Sequence, residues 1–280
     1  MSDELNNNTV LSISSYLKDK RNFNLKYLCP SLINRRLNRR LLELNIKSSK
    51  EYYNYLLDTD DEIDELINSL MINYSTFFRN SLLFEYIANI ILPEILTQKD
   101  IGKGKSLRIW SVGCSSGEEP YSTAILINEF IQKNDIDFEF NLFATDIDTD
   151  SLTKAKKGTY SFEAVESVKY GLLQKYFKKD DGLFYLSDDI KNMVSFSKYD
   201  VFDKKGFSPP QSIFGDFDIV ICRNLLIYYN QASQEKICDK LSCSISNNGY
   251  LILGKVEHLS NNIASYFKME NEYLHLYKKK

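Results

Sequence analysis

The most informative segment of the chain is Ile109-Trp110-Ser111-Val112-Gly113-Cys114-Ser115-Ser116-Gly117-Glu118-Glu119-Pro120. An apolar run that ends at glycine is typical of a buried strand. The small residues that follow predict a turn, and Ser, Glu and Pro are typical of a helix start. Gly113 and Gly117 can adopt backbone angles that other residues resist, so a ligand can approach the main chain. A strand, loop and helix in this order build a small-molecule site at the carboxyl end of a parallel sheet.

The side chains of this loop indicate which ligand it would bind. The glycine spacing is not the G-x-G-x-x-G of dinucleotide folds, and no lysine follows Gly117 as in a P-loop. Glu118 and Glu119 stand where they would repel a pyrophosphate. The loop therefore favours a cofactor that carries positive charge.

The composition is that of an ordinary globular protein, with 280 residues of which 43% are hydrophobic and 26% charged. The length allows one large domain or two modest ones. No apolar run reaches membrane-spanning length, and the polar N-terminus lacks the order of a signal peptide, so we expect a cytoplasmic protein without membrane insertion. Five cysteines without a C-x-x-C pair, and two histidines, predict reduced thiols and no metal site.

Hydrophobic periodicity divides the chain in two. Up to about residue 90, Leu, Ile and Tyr recur at helical spacing, which predicts a helical domain over residues 1–90. Over residues 91–280, short apolar runs alternate with amphipathic segments, which predicts an α/β domain with a mainly parallel sheet. The predicted strands are Leu107–Val112, Phe138–Ala144, Val194–Tyr199, Phe217–Cys222 and Tyr250–Leu253, with further strand signals over Tyr266–Tyr277. The predicted helices are Tyr121–Gln132, Asp150–Lys157 and Gln231–Ile245, and Asn247-Asn248-Gly249 is predicted to be a turn.

One segment departs from this rhythm. Residues 176–186 have the pattern of a β-hairpin, with Asp181-Gly182 as its turn. The hairpin comes between the second and third predicted strands, so we predict a small insertion over about residues 170–192. It is either a surface decoration or a docking element with exposed backbone edges.

Polar residues follow two of the predicted strands. Asp146 comes first after the second strand, where nucleoside-binding α/β folds place a carboxylate that accepts hydrogen bonds from ribose hydroxyls. Asp148 suits a turn or a helix cap. Arg223 and Asn224 follow the fourth strand and should emerge over the cofactor, or else cap the next helix or pair with a local acid. Tyr228 could face the reacting centre or lie in the core.

A polar segment lies upstream of the first strand. Phe77 and Phe78 would anchor it in the core and so hold Arg79 in place. A guanidinium stays charged and matches a carboxylate bidentately. Arg79 is therefore either a carboxylate grip or a surface ion-pair residue.

Charge is unevenly spread along the helical domain. Residues 18–50 hold ten Lys/Arg and two acids, whereas residues 51–70 hold seven acids and no Lys or Arg. The stretch Arg35–Arg40 places arginines in pairs one helical turn apart. Like charges so placed repel, so either a partner binds them or they form a solvated face. The stripe is short and the rest of the chain is not basic, so we expect no nucleic acid.

Five motifs run through nearly the whole chain. They are Asn73-x-Ser75-x-Phe77-Phe78-Arg79, Ser116-Gly117-Glu118-Glu119-Pro120-Tyr121-Ser122, Ala144-Thr145-Asp146-Ile147-Asp148, Cys222-Arg223-Asn224-Leu225-Leu226-Ile227-Tyr228 and Gly254-x-x-Glu257. In this order and spacing they resemble the chemotaxis receptor glutamate O-methyltransferases, the CheR family. The resemblance implies a Rossmann-like S-adenosylmethionine-dependent methyltransferase sheet, an N-terminal all-helical domain and a small β-hairpin insertion.

The resemblance also implies a reaction and a set of site residues. The methyl donor would be S-adenosylmethionine, the product S-adenosylhomocysteine, and the acceptor a glutamate side chain on the cytoplasmic helical bundle of a chemoreceptor. The catalytic residues would be Arg79 and Tyr228. The cofactor-binding residues would be Asn73, Ser75, Arg79, Glu119, Asp146, Asp200, Val201, Arg223 and Asn224.

Individual roles follow from the same resemblance. Arg79 would grip a carboxylate, either that of the cofactor or that of the incoming glutamate. Glu119 would hold the cofactor's ammonium, and Asp146 its ribose. Asp200, which stands where the family has Asn, would accept from the adenine amino group, and Tyr228 would lie near the point of methyl transfer.

Two expectations concern partners. The basic helix Arg35–Arg40 would steer and align acidic receptor helices. The hairpin corresponds to the family's small β-subdomain, which in some members tethers a peptide from the receptor's C-terminus. Because the hairpin is short here, we predict no such tether. Nothing in the sequence demands more than a monomer.

Two other functions stay open. A methyltransferase of the same fold that acts on another carboxylate or on a small molecule would keep Asp146 and the Gly113–Gly117 loop without needing the basic helix. The second is a non-catalytic module that senses S-adenosylmethionine or binds receptors, and the intact Arg79, Asp146 and Tyr228 argue against it.

Overall fold

The computed structural model describes residues 7–71, 75–99, 106–136, 138–203, 206–212 and 214–280. The chain divides into two compact units. The first comprises Met1–Ile72 with Leu226–Glu235, and the second comprises Asn73–Leu225 with Lys236–Lys280. Among the described residues, no helix combines the length and the apolar character needed to cross a lipid bilayer.

The first unit is helical, as its periodicity predicts. Pro30 begins the second helix, where its missing N–H leaves no hydrogen bond unmade. Ser48 caps the third, because its hydroxyl accepts from the Glu51 N–H at 3.2 Å. The helices are α1 Asn7–Arg21, α2 Pro30–Glu43, α3 Ser49–Asp58 and α4 Asp60–Leu70, with 3₁₀ turns at Leu25–Tyr27 and Leu226–Tyr228. Their apolar faces form one core that includes Leu17, Leu37, Tyr52, Leu56 and Leu66.

The basic stripe of α2 is partly neutralised within this unit. Arg40 pairs with Glu62 at 2.5 Å, and Glu62 also accepts from the Tyr52 hydroxyl at 2.6 Å. Arg40 reaches Glu43 at 2.8 Å, and Arg39 pairs with the same glutamate at 2.7 Å. Glu62 is only 3% exposed, and breaking a buried ion pair costs about 3–5 kcal/mol. Arg40 is therefore held in place by acids of its own unit.

The second unit is α/β. Its strands are β1 Leu107–Val112, β2 Phe140–Asp146, β3 Thr159–Tyr160, β4 Phe177–Asp180, β5 Leu183–Leu186, β6 Val194–Lys198, β7 Phe217–Cys222, β8 Ile245–Leu253, β9 Phe267–Asn271 and β10 Leu276–Lys279. Its helices are α5 Ser81–Tyr86, α6 Leu92–Lys99, α7 Glu118–Asn134, α8 Thr149–Lys157, α9 Phe162–Val165, α10 Tyr170–Tyr176, α11 Asp188–Lys191, α12 Gln231–Ser244, which begins in residues counted with the first unit, and α13 Asn261–Ala264. A π-helical turn, Ile87–Ile91, joins α5 to α6.

Seven strands form one sheet in the order β6-β2-β1-β7-β8-β10-β9. The first five are parallel, whereas β10 and β9 are antiparallel to their neighbours. This confirms the expected Rossmann-like, mainly parallel sheet. The chain order reverses beside β1, which has β2 on one side and β7 on the other. The carboxyl ends of these three strands meet at a topological switch point, where open α/β sheets bind ligands.

The predicted hairpin is present as β4 and β5. Asp181 and Gly182 turn with φ of 44° and 75°, as a two-residue hairpin turn requires. A third strand, β3, pairs with β5 and completes an antiparallel sheet in the order β3-β5-β4. A strand of two residues is too short to show a hydrophobic period, so β3 was not predicted. The expected absence of a receptor-peptide tether stays a prediction.

The predicted turn at Asn247–Gly249 is wrong, because these residues lie inside β8. The pairing of β8 with β7 shifts register there, and Asn248 has φ of 62°, so the segment is a bulge. Gly249 lies so close to β7 that a Cβ would meet the Phe217 carbonyl oxygen at 2.9 Å. The bulge thus depends on a glycine.

The helices from α5 to α6 belong to the core of the second unit. Leu83, Phe84, Ile87 and Ile91 are buried there. The division into a helical domain over residues 1–90 and an α/β domain over residues 91–280 stays a prediction.

Candidate functional site

The loop after β1 is held against the end of β2. The Gly113 and Cys114 N–H groups both donate to the Thr145 carbonyl, at 2.8 and 3.0 Å. Gly113, Ser115 and Gly117 all have positive φ, of 69°, 48° and 93°. A Cβ on Gly113 would lie 2.9 Å from the Leu225 side chain. The loop therefore needs glycine where the two strand ends and the start of α7 converge.

Asp146 lies at the end of β2 and is only 8% exposed. One carboxylate oxygen accepts from the Ser115 N–H at 2.8 Å, and the other accepts from the Asp148 N–H at 2.9 Å. Burial raises the pKa of Asp146, and these backbone donors oppose the rise. Asp146 thus fastens the loop to β2, and its assignment to a ribose stays a prediction.

Asp148 caps α8. Its carboxylate accepts from the Asp150 N–H at 2.9 Å and from the Ser151 hydroxyl at 2.6 Å. This confirms the cap role predicted for Asp148. Asp148 therefore stabilises the start of α8, whereas Asp146 binds the loop after β1.

Glu119 and Arg223 are brought together. The Glu119 carboxylate accepts from the Ser111 hydroxyl at 2.9 Å and from the Arg223 guanidinium at 3.4 Å. Burial raises the pKa of Glu119, while Arg223 and Ser111 lower it. Both side chains are largely buried, at 15% and 6% exposed. Two predicted site residues from β7 and α7 therefore share one ion pair, and Ser111 on β1 is a partner that the sequence analysis missed.

Glu118 is a third carboxylate that is largely buried, at 4% exposed. It accepts from the Ser116 hydroxyl at 2.7 Å. Burial raises the pKa of Glu118, and the hydroxyls of Ser116 and Ser75 oppose the rise. The Ser75 hydroxyl thus lies within reach of the Glu118 carboxylate, and its assignment to the cofactor site stays a prediction. Asn73 lies outside the described residues.

Three carboxylates act electrostatically on the Cys114 thiol in this loop. Burial raises the pKa of the Cys114 thiol, and the charges of Asp146, Glu119 and Glu118 raise it further. The Ser115 hydroxyl is buried without a hydrogen-bond partner among the described residues. Burying carboxylates is costly unless a positive charge compensates them. This loop therefore fits a ligand that brings cationic groups and hydroxyl donors.

Asn224 follows β7 in a left-handed conformation, with φ of 57°. Its N–H donates to the Glu257 carboxylate at 2.9 Å, and the Gly254 N–H donates to the same oxygen at 2.6 Å. Asn224 thus reaches the carboxyl end of β7 as predicted. Glu257 belongs to one of the five motifs, and its spacing from Gly254 is its signal in the sequence, but no role was predicted for it.

Asp200 and Val201 follow β6. The Asp200 carboxylate accepts from the Phe202 N–H at 2.8 Å, and the Val201 carbonyl accepts from the Lys240 ammonium at 3.0 Å. Asp200 therefore closes a turn next to β2. Its contact with an adenine stays a prediction.

Arg79 projects from an anchored segment. Phe77 is fully buried, with its ring 4.8 Å from that of Tyr160, and the Phe78 N–H donates to the Ser122 hydroxyl at 2.8 Å. This confirms the predicted anchor. The Arg79 side chain is exposed and forms no ion pair with any described residue, so its backbone is fixed while its guanidinium is available.

Tyr228 belongs to the first unit. Its carbonyl accepts from the Cys29 N–H at 2.9 Å, and its side chain packs against the hydrophobic core of that unit. Its predicted catalytic role stays a prediction. Within the described parts of the chain, no cluster of His, Cys, Asp and Glu could hold a metal ion.

The raised carboxyl pKa values predict a pH dependence. In the ligand-free protein Glu119 and Asp146 take up protons at a higher pH than ordinary carboxyls, whose pKa is about 4. Affinity for a cationic ligand is therefore full at high pH and falls as pH is lowered through these raised values. Calorimetric titration of S-adenosylmethionine from about pH 8 to about pH 5 checks this. A flat profile in the wild type, or an equally steep one in Glu119→Gln, would contradict it.

Two family models match this chain. "CheR methyltransferase, all-alpha domain" matches residues 10–71, and "CheR methyltransferase, SAM binding domain" matches residues 73–274. The second match alone covers most of the chain and contains the whole loop described above.

Curated relatives agree with these matches. The chemotaxis protein methyltransferase of Borreliella burgdorferi is 34% identical over 82% of this chain and 81% of that protein. Chemotaxis protein methyltransferase 2 of Vibrio cholerae is 32% identical over 85% of this chain and 81% of its own length, and the Escherichia coli protein is 30% identical over 82% and 77%. Among solved structures, the magnesium protoporphyrin IX methyltransferase of Synechocystis matches 71% of this chain and 76% of its own at TM-score 0.36 and 16% identity, which is too remote to bear on function. The chain belongs to the CheR family of S-adenosylmethionine-dependent methyltransferases.

Proposed function

We propose that this chain transfers the methyl group of S-adenosylmethionine to glutamate carboxylates of chemoreceptors, giving methyl esters and S-adenosylhomocysteine. The observation that carries the proposal is the match, over about four fifths of this chain, to proteins called chemotaxis protein methyltransferases. The buried carboxylates of the loop support it, because they suit a cationic nucleoside donor.

Different residues around the loop bind different groups of the donor. Asp146 accepts from the ribose hydroxyls with the lone pairs that its two backbone donors leave over. Glu119 holds the ammonium, and the Arg223 guanidinium keeps the Glu119 carboxylate oriented and charged. Glu118 and Ser75 complete the polar wall at the start of α7.

The main task of the protein in this reaction is to align the acceptor carboxylate with the methyl group. The bound donor supplies a methyl group already activated on a sulfonium. An acceptor glutamate with a pKa of about 4.3 is ionised at neutral pH, so no general base is needed. Alignment of nucleophile and methyl group can contribute roughly 7–11 kcal/mol. We assign this positioning to Arg79, which grips a carboxylate and leaves one oxygen free.

The receptor-facing surface that we propose is the α2 face around Arg35 and Arg36. Arg35 is exposed and Arg36 half-buried, and neither forms an ion pair with a described residue. Burial and the charges of Arg35 and Arg39 lower the pKa of Arg36, which an acidic partner would reverse. The basic helix Arg35–Arg40 would thus contact acidic receptor helices mainly through its first two arginines.

Charge reversal on this face tests the contact. Arg35→Glu with Arg36→Glu should lower receptor methylation about tenfold or more and leave donor affinity unchanged, because like charges repel the acidic helices. Added salt should weaken methylation of receptor fragments more than donor binding, since the contact is exposed. Lys178→Glu with Lys179→Glu on the hairpin is the matched control. Equal losses in both double variants would mean that the effect is not specific to the α2 face.

The function itself is tested with labelled donor. Purified chain, S-[methyl-³H]adenosylmethionine and cytoplasmic receptor fragments should give base-labile label on the fragments, released as methanol. Label confined to small molecules would favour the same-fold methyltransferase with another acceptor. Donor binding without any transfer would favour a sensing or scaffolding module.

A further inference from the structure

Glu257 ties two parallel strands together at the carboxyl end of the sheet. One oxygen of its carboxylate accepts from the Asn224 N–H at 2.9 Å and from the Gly254 N–H at 2.6 Å. Asn224 follows β7 and Gly254 follows β8. The pairing of β7 with β8 ends at Cys222 and Leu253, so the carboxylate binds the two N–H groups just beyond the last paired residues.

The chain around this carboxylate is shaped to receive it. A Cβ on Gly254 would lie 2.5 Å from the Glu257 carboxylate and 2.9 Å from the Asn224 nitrogen, so only glycine fits there. The Glu257 N–H donates to the Gly254 carbonyl at 2.9 Å, and the Glu257 carbonyl accepts from His275 Nδ1 at 2.9 Å. Glu257 is 3% exposed. Main chain and side chain are therefore both held in one arrangement.

The charge of Glu257 is felt at the cofactor loop. Burial raises the pKa of the Cys222 thiol at the end of β7, and the Glu257 charge raises it further. The same charge adds to the rise in the pKa of Glu119. Glu257 thus acts electrostatically on the carboxylate that is paired with Arg223.

We propose that Glu257 is a positioning residue of the cofactor site, which fixes the strand end that presents Arg223 and Asn224 and whose negative charge favours the cationic methyl donor over the neutral product. The proposal rests on the proposed function, in that it takes S-adenosylmethionine as the ligand. A sulfonium becomes a neutral thioether when the methyl group leaves, so the product carries one positive charge fewer than the donor and is attracted less by a fixed negative charge. Glu257 would then help the site to exchange product for donor.

Two substitutions separate shape from charge. Glu257→Gln keeps an oxygen for the two N–H groups and removes the charge, whereas Glu257→Ala removes both. Glu272→Gln is the matched control, since it removes one exposed charge from the same unit. Calorimetric titration measures the affinities of all four proteins for S-adenosylmethionine and S-adenosylhomocysteine, and ligand-free melting reports the fold.

For Glu257→Gln we expect the preference for donor over product to fall about three- to tenfold, with product affinity nearly unchanged. For Glu257→Ala we expect both affinities to fall, by about tenfold for the product. An unchanged preference for donor over product in Glu257→Gln would overturn the proposal, even if the alanine variant does not fold. A fall in preference in Glu272→Gln as large as that in Glu257→Gln would also overturn it. If wild type binds both ligands and the variants match it, only this inference fails. If wild type binds neither, the proposed function fails with it.

Discussion

Asp146→Ala is expected to weaken binding of S-adenosylmethionine about 100-fold or more. The carboxylate is the acceptor for the Ser115 and Asp148 N–H groups and the proposed acceptor for the ribose. A hydrogen bond to a charged group contributes about 1.5–3 kcal/mol, and a buried donor left without a partner costs about 1–3 kcal/mol. Substitution thus removes the ribose contact and loosens the loop that would surround the donor. Calorimetric titration of the purified variant measures the loss.

The matched control lies two residues away. Asp148→Ala removes the cap of α8 and should cost about 1 kcal/mol of unfolding free energy. Because Asp148 is occupied by Asp150 and Ser151, its loss should leave donor affinity within about threefold of wild type. Equal affinity losses at the two positions would mean that the loop merely requires an intact turn. Wild-type affinity in Asp146→Ala would remove Asp146 from the site.

Arg79→Ala is expected to lower methyl transfer to receptor fragments about 1,000-fold without lowering the melting temperature. The side chain is exposed and pairs with no described acid, so stability should change by less than about 0.5 kcal/mol. The segment that carries it is fixed by Phe77 and by the Phe78 to Ser122 hydrogen bond. A guanidinium carried on a fixed backbone can orient a carboxylate, and misplacement of a reacting group by about 1 Å can cost about 100-fold.

Arg79→Lys is the conservative comparison. Lysine keeps the positive charge and loses the bidentate donor geometry of arginine. A rate between those of wild type and Arg79→Ala would mean that Arg79 acts mainly through its charge. A rate as low as that of Arg79→Ala would mean that the bidentate geometry is required. Donor affinity measured alongside decides which carboxylate is gripped. A fall in affinity points to the cofactor, and a fall in rate alone points to the acceptor. Near-normal label incorporation by Arg79→Ala would end the assignment.

Much of the fold and part of the site could be predicted from neighbouring residues. The strand over Leu107–Val112, the small-residue loop and the acidic start of α7 are contiguous, and the structure has them where the pattern places them. Asp146, Arg223 and Asn224 could be assigned to one edge because parallel strands end on the same side. The bulge at Asn247–Gly249 was misread because its residues are those of a turn, and only pairing with β7 makes it part of a strand.

The order of strands and helices, the cationic nature of the ligand and the strand ends that carry polar groups could all be inferred before the fold was known, because each depends on residues close together in the chain. The pairing of Glu119 with Arg223, the contacts of Glu257 with Asn224 and Gly254, and the pairing of Arg40 with Glu62 are visible only in the folded chain. Most of these partners are separated by 22 to 104 residues. Such contacts depend on how the helices and strands pack, so they cannot be predicted from the hydrophobic period or from a local motif.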